Sequence, residues 1–300
     1  MILPAGRRRT TMISRSRFAS TTRVVVFAAA FSALALAASA SQAGTVSLYD
    51  PLAGTLPIDQ GWLPFVFPPV VESHSGGLVE LDTTADRAAY AGYFSEQPSD
   101  GLLQHPQMPV LDRATGYTVS FDLQVLAEGH NTRDDNGDGL DDRAGFSVIA
   151  ISQDLLGLEL AFFEDRVWAY AAAGEGPNSQ FTQAEGVAID TTAAVTRYDL
   201  VVQGATYTLL AGGAPILGGP LRNYNPSGVT ALIDPYDNPS FLFFGDDTTS
   251  AESHVLLGEI SVTLVPEPAC GLLAALALPA VMIARRRGAA RQRRSRGKRP

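Results

Sequence analysis

The residues best equipped for chemistry stand in one run, HNTRDDNGDGLDDRAGF, residues 130–146. Asp134, Asn136 and Asp138 take positions one, three and five of a calcium loop. Gly139 falls at six, where a sharp turn is needed, Leu140 at seven offers a carbonyl, and Asp142 at nine ligates directly or through water. Hard oxygen donors at this spacing converge because alternate residues point inward around a tight turn. Position twelve, which a full EF-hand fills with a bidentate Glu, is Gly145, and no helical pattern flanks the run. The site expected is a shortened Ca²⁺ loop, on the order of 10⁻⁴–10⁻³ M in affinity, that braces a hairpin. A solvated acidic turn tethered by Arg133 and Arg143 is the other reading, and the sequence leaves both open.

The elements that must hold this run are strands. Between residues 45 and 264 helical periodicity is nearly absent, and short β-branched and aromatic runs alternate with Gly, Pro, Asn and Asp, as in an all-β sandwich. Strands are expected at 45–49, 62–67, 78–81, 117–126, 144–152, 157–163, 166–172, 198–203, 206–211, 241–245 and 254–264. Hairpin turns are expected at Glu164-Asp165, Gly204-Ala205 and Gly212-Gly213, glycine entering positive φ without steric cost. Tyr198, Leu200 and Val202 share one strand face, with Asp199 and Gln203 on the other. Residues 95–112 and 218–239, rich in Pro, Asn, Asp and Gly, read as long loops. No repeat or linker divides the body, so residues 44–264 form one domain large enough for a substantial core.

The segments RAGFSVIAIS, GLELAFFEDRVWAY, YDLVVQGATYTLLAGG and FLFFGDDTTSAESHVLLGEISV resemble the laminin-G-like, concanavalin A-like jelly rolls of exported bacterial proteins. More narrowly they resemble a choice-of-anchor group that pairs such a domain with different C-terminal sorting signals. The resemblance implies an antiparallel jelly-roll β-sandwich and names no ligand. One hydrolase group sharing that fold carries E-x-D-x-x-E on a strand. Here residues 159–164 read Glu-Leu-Ala-Phe-Phe-Glu, with Ala161 where the central acid belongs. His74, His105, His130 and His254 show no ligand spacing and read as loop or sheet-surface residues. No serine sits in G-x-S-x-G. An enzyme is therefore not expected. Tyr90, Tyr93, Trp168, Tyr170, Tyr224 and Tyr236 are candidates to stack on sugar rings, and core aromatics look the same in sequence.

Both ends of the chain read as addresses. Arg7, Arg8, Arg9, Arg15, Arg17 and Arg23, the apolar run 24–38 and the small-x-small Ser41-Gln42-Ala43 form a signal helix for a signal peptidase, with Gly44 as the new terminus and Met12 as a second possible start. At the other end, residues 269–284 make an apolar run of about 24 Å as a helix, against a ~30 Å hydrocarbon core, with Pro279 inside it. Arg285, Arg286 and Arg287 stop it, and by the positive-inside rule the body is outside. Val265-Pro266-Glu267-Pro268, this short transmembrane helix and the Arg-rich tail resemble the PEP-CTERM sorting domain of Gram-negative bacteria. The resemblance implies that Pro266, Glu267 and Pro268 are the element at which an exosortase-type enzyme handles the protein. A GPI signal does not end in a basic block. Cys270, the sole cysteine, reads as a small apolar helix residue.

Charge follows the same division. Of 22 basic side chains six lie in the leader, nine in the tail and seven between, whereas 30 of 31 acidic ones lie between. The body therefore carries −23 and no lysine, a surface that repels nucleic acid and anionic lipid. The sequence points to three segments: signal peptide 1–43, β-sandwich 44–264 and sorting signal 265–300. The function expected is display of a non-catalytic, calcium-braced sandwich at the cell surface or in the extracellular matrix. The alternative is a carbohydrate-binding module for an exopolysaccharide or cell-surface glycan, with a glycoside hydrolase third.

Overall fold

The computed structural model of the protein describes residues 44–96, 103–130, 133–175, 180–224 and 234–265. The leader, Pro266, Glu267, Pro268, Cys270, the run 269–284 and Arg285, Arg286 and Arg287 lie outside the described residues. Among the described residues, no helix is long and apolar enough to cross a membrane.

The described chain is an all-β sandwich of two antiparallel sheets. Its strands are β1 (Gly44–Tyr49), β2 (Leu63–Phe67), β3 (Val71–Ser75), β4 (Leu78–Asp82), β5 (Tyr90–Phe94), β6 (Tyr117–His130), β7 (Ser147–Ile151) and β8 (Gly157–Phe162). There follow β9 (Arg166–Tyr170), β10 (Gln183–Ala188), β11 (Thr196–Gln203), β12 (Thr206–Ala211), β13 (Ala214–Pro220), β14 (Phe241–Asp246) and β15 (Ala251–Leu264). One eight-stranded sheet runs β13-β12-β11-β6-β15-β4-β3, with β1 also pairing β15. The seven-stranded sheet runs β10-β9-β8-β7-β14-β5-β2.

Between the sheets lies the larger core. Phe121 stacks on Tyr198 at 5.5 Å and meets Phe244 edge-on at 5.3 Å across the layer. The eight-stranded sheet shows the alternation expected of a half-solvated face: Tyr198, Leu200 and Val202 are buried, Gln203 is exposed and Asp199 intermediate. The seven-stranded sheet does not. Every residue of β7, β8 and β14 is buried, so both faces of its central strands are covered. A second core lies on its outer face, where Ile149, Ala161, Trp168, Tyr170 and Phe243 pack with Tyr224, Tyr236 and Phe181 from connecting segments. Burying side chains of this size contributes ~1.5–3 kcal/mol each, which is why SVIAI and FLFFGD read as continuous apolar runs.

The three hairpins form at the expected turns. Three strands lie where none was expected, β3, β5 and β10, and β13 was foreseen only as the partner that the Gly212-Gly213 turn requires. The last, APILGGP, carries the expected loop at 218–239 only after Pro220. It closes one end of the sandwich against β10. There Arg222, 5% exposed, donates to Glu175 at 2.7 Å and to both oxygens of Glu185, to which Tyr207 Oη also donates at 2.6 Å.

Candidate functional site

The acidic run folds into a turn that satisfies its own carboxylates. Gly137 and Gly139 adopt φ of 77° and 85°, left-handed values that wrap the backbone around Asp134. Asp134 Oδ1 accepts from Gly137 N at 2.6 Å and Asp138 N at 3.0 Å, and Oδ2 accepts from Gly139 N at 2.8 Å. These amides hold the Asp134 carboxyl below its ordinary pKa, Gly139 contributing most. Asn136 Nδ2 donates to Asp138 Oδ2 at 3.0 Å, and Leu140 N donates to Asp138 Oδ1 at 2.8 Å.

Asp142 turns the other way. It is fully buried, and its two oxygens accept from Asp135 N at 2.7 Å and Gln183 N at 2.9 Å, pinning the turn to β10. Arg133 and Arg143 both reach Asp135, at 2.8 and 3.4 Å. The donor set thus fits calcium in part: Asp134, Asn136, Asp138 and the Leu140 carbonyl share the exposed turn, while Asp142 is committed to the scaffold. Among the described residues no group of three or more His, Cys, Asp or Glu side chains has the geometry to hold a metal. Gly145 explains the missing twelfth-position ligand. A Cβ there would stand 2.2 Å from the backbone carbon of Glu252, so no larger residue fits.

A second cluster of ionisable groups, unmarked by any motif, lies on the outer face of the seven-stranded sheet. Strand register assembles it. Trp168, Ala161, Ser147, Gly245, Gly92 and Phe65 are successive cross-strand partners and form one row on that face. In the adjacent row, two residues along each strand, Glu159 stands on β8 and Tyr170 on β9. Burial pushes the Glu159 carboxyl well up, and the charge of Asp247 pushes it further; Tyr236, Ser147 and Arg143 oppose. Asp247, just past β14, is likewise raised by burial and eased down by Arg143. Tyr236 Oη donates to Glu159 Oε2, and Glu159 N donates to Tyr224 Oη at 3.3 Å. Tyr90 is also raised, by burial first and then by Asp247 and Asp246, which puts its hydroxyl at the same cluster. Asp246 itself, held by Thr83 Oγ1 at 2.6 Å, is pushed up to about 8 by burial.

Among the described residues four buried side-chain atoms lack a hydrogen-bond partner: Glu128 Oε1, Arg143 Nε, Ser147 Oγ and Trp168 Nε1. The last two belong to this row, and Arg143, whose guanidinium stacks on Phe181 at 5.4 Å, acts on Glu159 and Asp247 by its charge. Ser147 lowers the Glu159 pKa through a side-chain hydrogen bond, so its hydroxyl does interact with that carboxyl although the contact falls outside ordinary hydrogen-bond geometry. Glu128, pushed up to about 7 by burial, belongs to a neighbouring group: its Oε2 contacts His130 Nδ1 at 2.6 Å, and His130 stacks on Phe163 at 4.0 Å. A shallow cleft of about 480 Å³ opens nearby between Glu164, Asp165, Ile189 and Asp190.

Several expectations change here. Tyr93, Trp168, Tyr170, Tyr224 and Tyr236 are buried, so they are packing residues and offer no open stacking platform; Tyr90 alone of the six is half-buried. His105 is a core residue, with Nε2 at 2.9 Å from the Leu48 carbonyl and the Trp62 ring at 5.6 Å. His254 contacts Glu80 at 2.8 Å on the eight-stranded sheet. Glu159 and Glu164 do not form a facing pair along β8, because Glu164 lies past the strand end and accepts from Glu128 N at 3.2 Å. The carboxyl that does couple to Glu159 is Asp247, some ninety residues away in sequence.

No protein-family model and no curated protein sequence matches the chain. Solved structures with a similar course include a carbohydrate esterase from the Shiga toxin-encoding bacteriophage phi24B, at 14% identity and a TM-score of 0.45, covering 74% of this chain and 99% of that one. A galectin-like-fold protein of unknown function from Bacillus subtilis follows at 10% identity and 0.41, covering 76% and 99%. A family 29 carbohydrate-binding module, in mutant form, shows 9% identity and 0.32, covering 74% and 92%. At these values the likenesses carry no inference about activity.

Proposed function

We propose that the chain is an exported, exosortase-processed protein that displays a non-catalytic jelly-roll sandwich of the concanavalin A and laminin-G-like type at the cell surface or in the extracellular matrix. One observation supports this above others. Gly44, the residue after the expected leader, pairs with Leu264, two residues before the Pro-Glu-Pro element. Both processing points therefore flank the same strand pair, and cutting at both leaves every described ladder intact. Stability then rests on burial and ladder hydrogen bonds, in keeping with a body that has no cysteine. Co-expression with a sorting enzyme is expected to remove residues after about Pro268, read by intact mass, and Glu267→Gln is expected to leave the tail attached. Recovery of the chain from cytosol with both ends intact would overturn the reading.

The same reading includes a weak calcium brace on the turn, with Asp134, Asn136, Asp138 and the Leu140 carbonyl as donors and Asp142 as its anchor. The ionised Asp134 and the exposed position of these oxygens favour it. Calcium bound there would offset carboxylate repulsion in a body of net charge −23.

A further inference from the structure

We propose that His130 is a proton-operated clasp: its imidazole ties the acidic turn, at Asp141, to the end of β6, at Glu128, and lets the turn go when one proton leaves. Both ring nitrogens face carboxyl oxygens. Nδ1 lies 2.6 Å from Glu128 Oε2, and Nε2 lies 3.2 Å from Asp141 Oδ2. The ring is stacked on Phe163 at 4.0 Å with 17° between the planes, so packing aims the two nitrogens.

Proton counting makes this arrangement a switch. Each nitrogen–oxygen contact needs one hydrogen between its atoms, and neutral imidazole supplies a hydrogen to one contact only. The other sits on the ring, as imidazolium between two carboxylates, or on Glu128, as a carboxylic acid donating to Nδ1. Both forms carry the same net charge and both close the clasp, so the proton belongs to the pair. Without it, a nitrogen lone pair points at a carboxylate. Burial decides which contact then opens. The Glu128 side chain is 3% exposed and that of Asp141 is 29% exposed. The remaining N–H stays with Glu128, at the shorter contact, and Asp141 turns to water.

The surrounding charges favour keeping the proton. Glu164 and Asp165, at the turn between β8 and β9, act on Glu128 by their charge. Arg87 reaches the His130 carbonyl at 3.5 Å but pairs with Glu252 of β15 at 3.4 Å, and Arg133 pairs with Asp135 at 2.8 Å. Burial pushes the Glu128 carboxyl up to about 7, with His130 pulling it down and Glu164 and Asp165 adding to the rise. A raised pKa means a proton kept on folding, so the clasp is closed below about pH 7 and opens as pH rises through it.

The test is amide hydrogen exchange and NMR titration of the full chain in detergent, with a chelator present so that calcium plays no part. The reporter is the Asp142 amide, which follows Asp141 and donates to the Arg133 carbonyl at 2.8 Å across the neck of the turn. After correction for the intrinsic rate, its protection is expected to fall about tenfold from about pH 6 to about pH 8.5, the worth of one charge-assisted hydrogen bond, with the His130 ring titrating at the same midpoint. Glu128→Gln is expected to lock the clasp closed, because the amide N–H donates to Nδ1 and leaves Nε2–H for Asp141 at every pH. Protection then stays at its acid level. His130→Phe keeps a ring on Phe163 and removes both nitrogens, so the loss of about tenfold is expected throughout the pH range. The proposal is overturned if wild-type protection is constant with pH or if either variant keeps the wild-type profile. It fails equally if ring and amide titrate at separate midpoints, a measurement that needs no variant. None of these outcomes bears on tail processing, which is read separately by mass.

Discussion

The acidic turn at residues 134–142 and the carboxyls at the seven-stranded sheet are opposite solutions to the same problem of holding negative charge. In the turn, Asp134 is wrapped by three backbone amides and its pKa falls. At the sheet, Glu159, Asp246 and Asp247 are surrounded by apolar and aromatic side chains, and their pKa values rise. The turn is conspicuous in sequence because its ligands are local. The sheet cluster is inconspicuous because its members come from β8, β14 and the segment before β7. Conspicuous spacing produced a group already satisfied, and the perturbed groups and unmet donors gathered where no motif stood.

The strongest way to break this contrast is at the residue that joins both regions. Asp142→Ala strips acceptors from one buried amide, Gln183 N, and one part-buried amide, Asp135 N. A loss of roughly 2–4 kcal/mol is expected in urea unfolding. Asp134→Ala, on the exposed side, is expected to move the urea midpoint less. Equal losses would mean that the turn is one cooperative unit with the scaffold.

The two regions must also titrate in opposite directions. Asp246 rises from 3.8 to about 8 and Glu128 from 4.5 to about 7. Both hold protons in the folded state where the unfolded chain has lost them, so their stabilisation is complete below about pH 4 and is lost as pH rises through 7 to 8. Asp134 and Asp154 are depressed, the latter first by its hydrogen bond from Arg113, so their contribution is present above about pH 4 and lost as pH falls below it. Melting temperature is therefore expected to peak on the acid side of neutrality and to fall by several degrees, at ~2–4 °C per kcal/mol, between pH 5 and pH 8. Asp246→Asn is expected to flatten the alkaline limb and leave the acid limb unchanged. A flat profile in wild type would remove the buried-acid account.

Calcium should give the smallest effect and act on the turn alone. At ten times a millimolar Kd, stabilisation is about 1.4 kcal/mol. Thermal melts are expected to shift upward in wild type and to stay fixed in a paired Asp134→Asn, Asp138→Asn variant. No shift at 10 mM, an order-of-magnitude excess, would leave the amide-capped turn as the complete description.

Most strands were legible because β-branched and aromatic runs alternate with turn residues, and the Tyr198, Leu200, Val202 face emerged as read. Of the strands given no range in the sequence, β3, β10 and β13 lie at sheet edges. VESHS, QAEGVA and APILGGP lack a strong apolar pattern, and an edge tolerates Pro, Gly and charge because one side has no ladder to complete. YAGYF, β5, is short and carries Gly92, whose Cβ would lie 2.5 Å from the Phe243 ring, so the glycine that hid the strand is demanded by its neighbour. The aromatic candidates for sugar stacking were misread for a related reason. Burial of both faces of the central strands of the seven-stranded sheet is a property of what the connecting segments do, and Tyr224 and Tyr236 come from such segments.

By itself the sequence determined the all-β class, the hairpins and the course of the acidic turn, since each depends on residues within a few positions of one another. Which carboxyls would be expensive to ionise, which aromatics would be covered and which donors would go unmet were decided only when strands distant in sequence came into register. A period of two says which residues share a face along one strand, and it is silent on which strand will lie alongside.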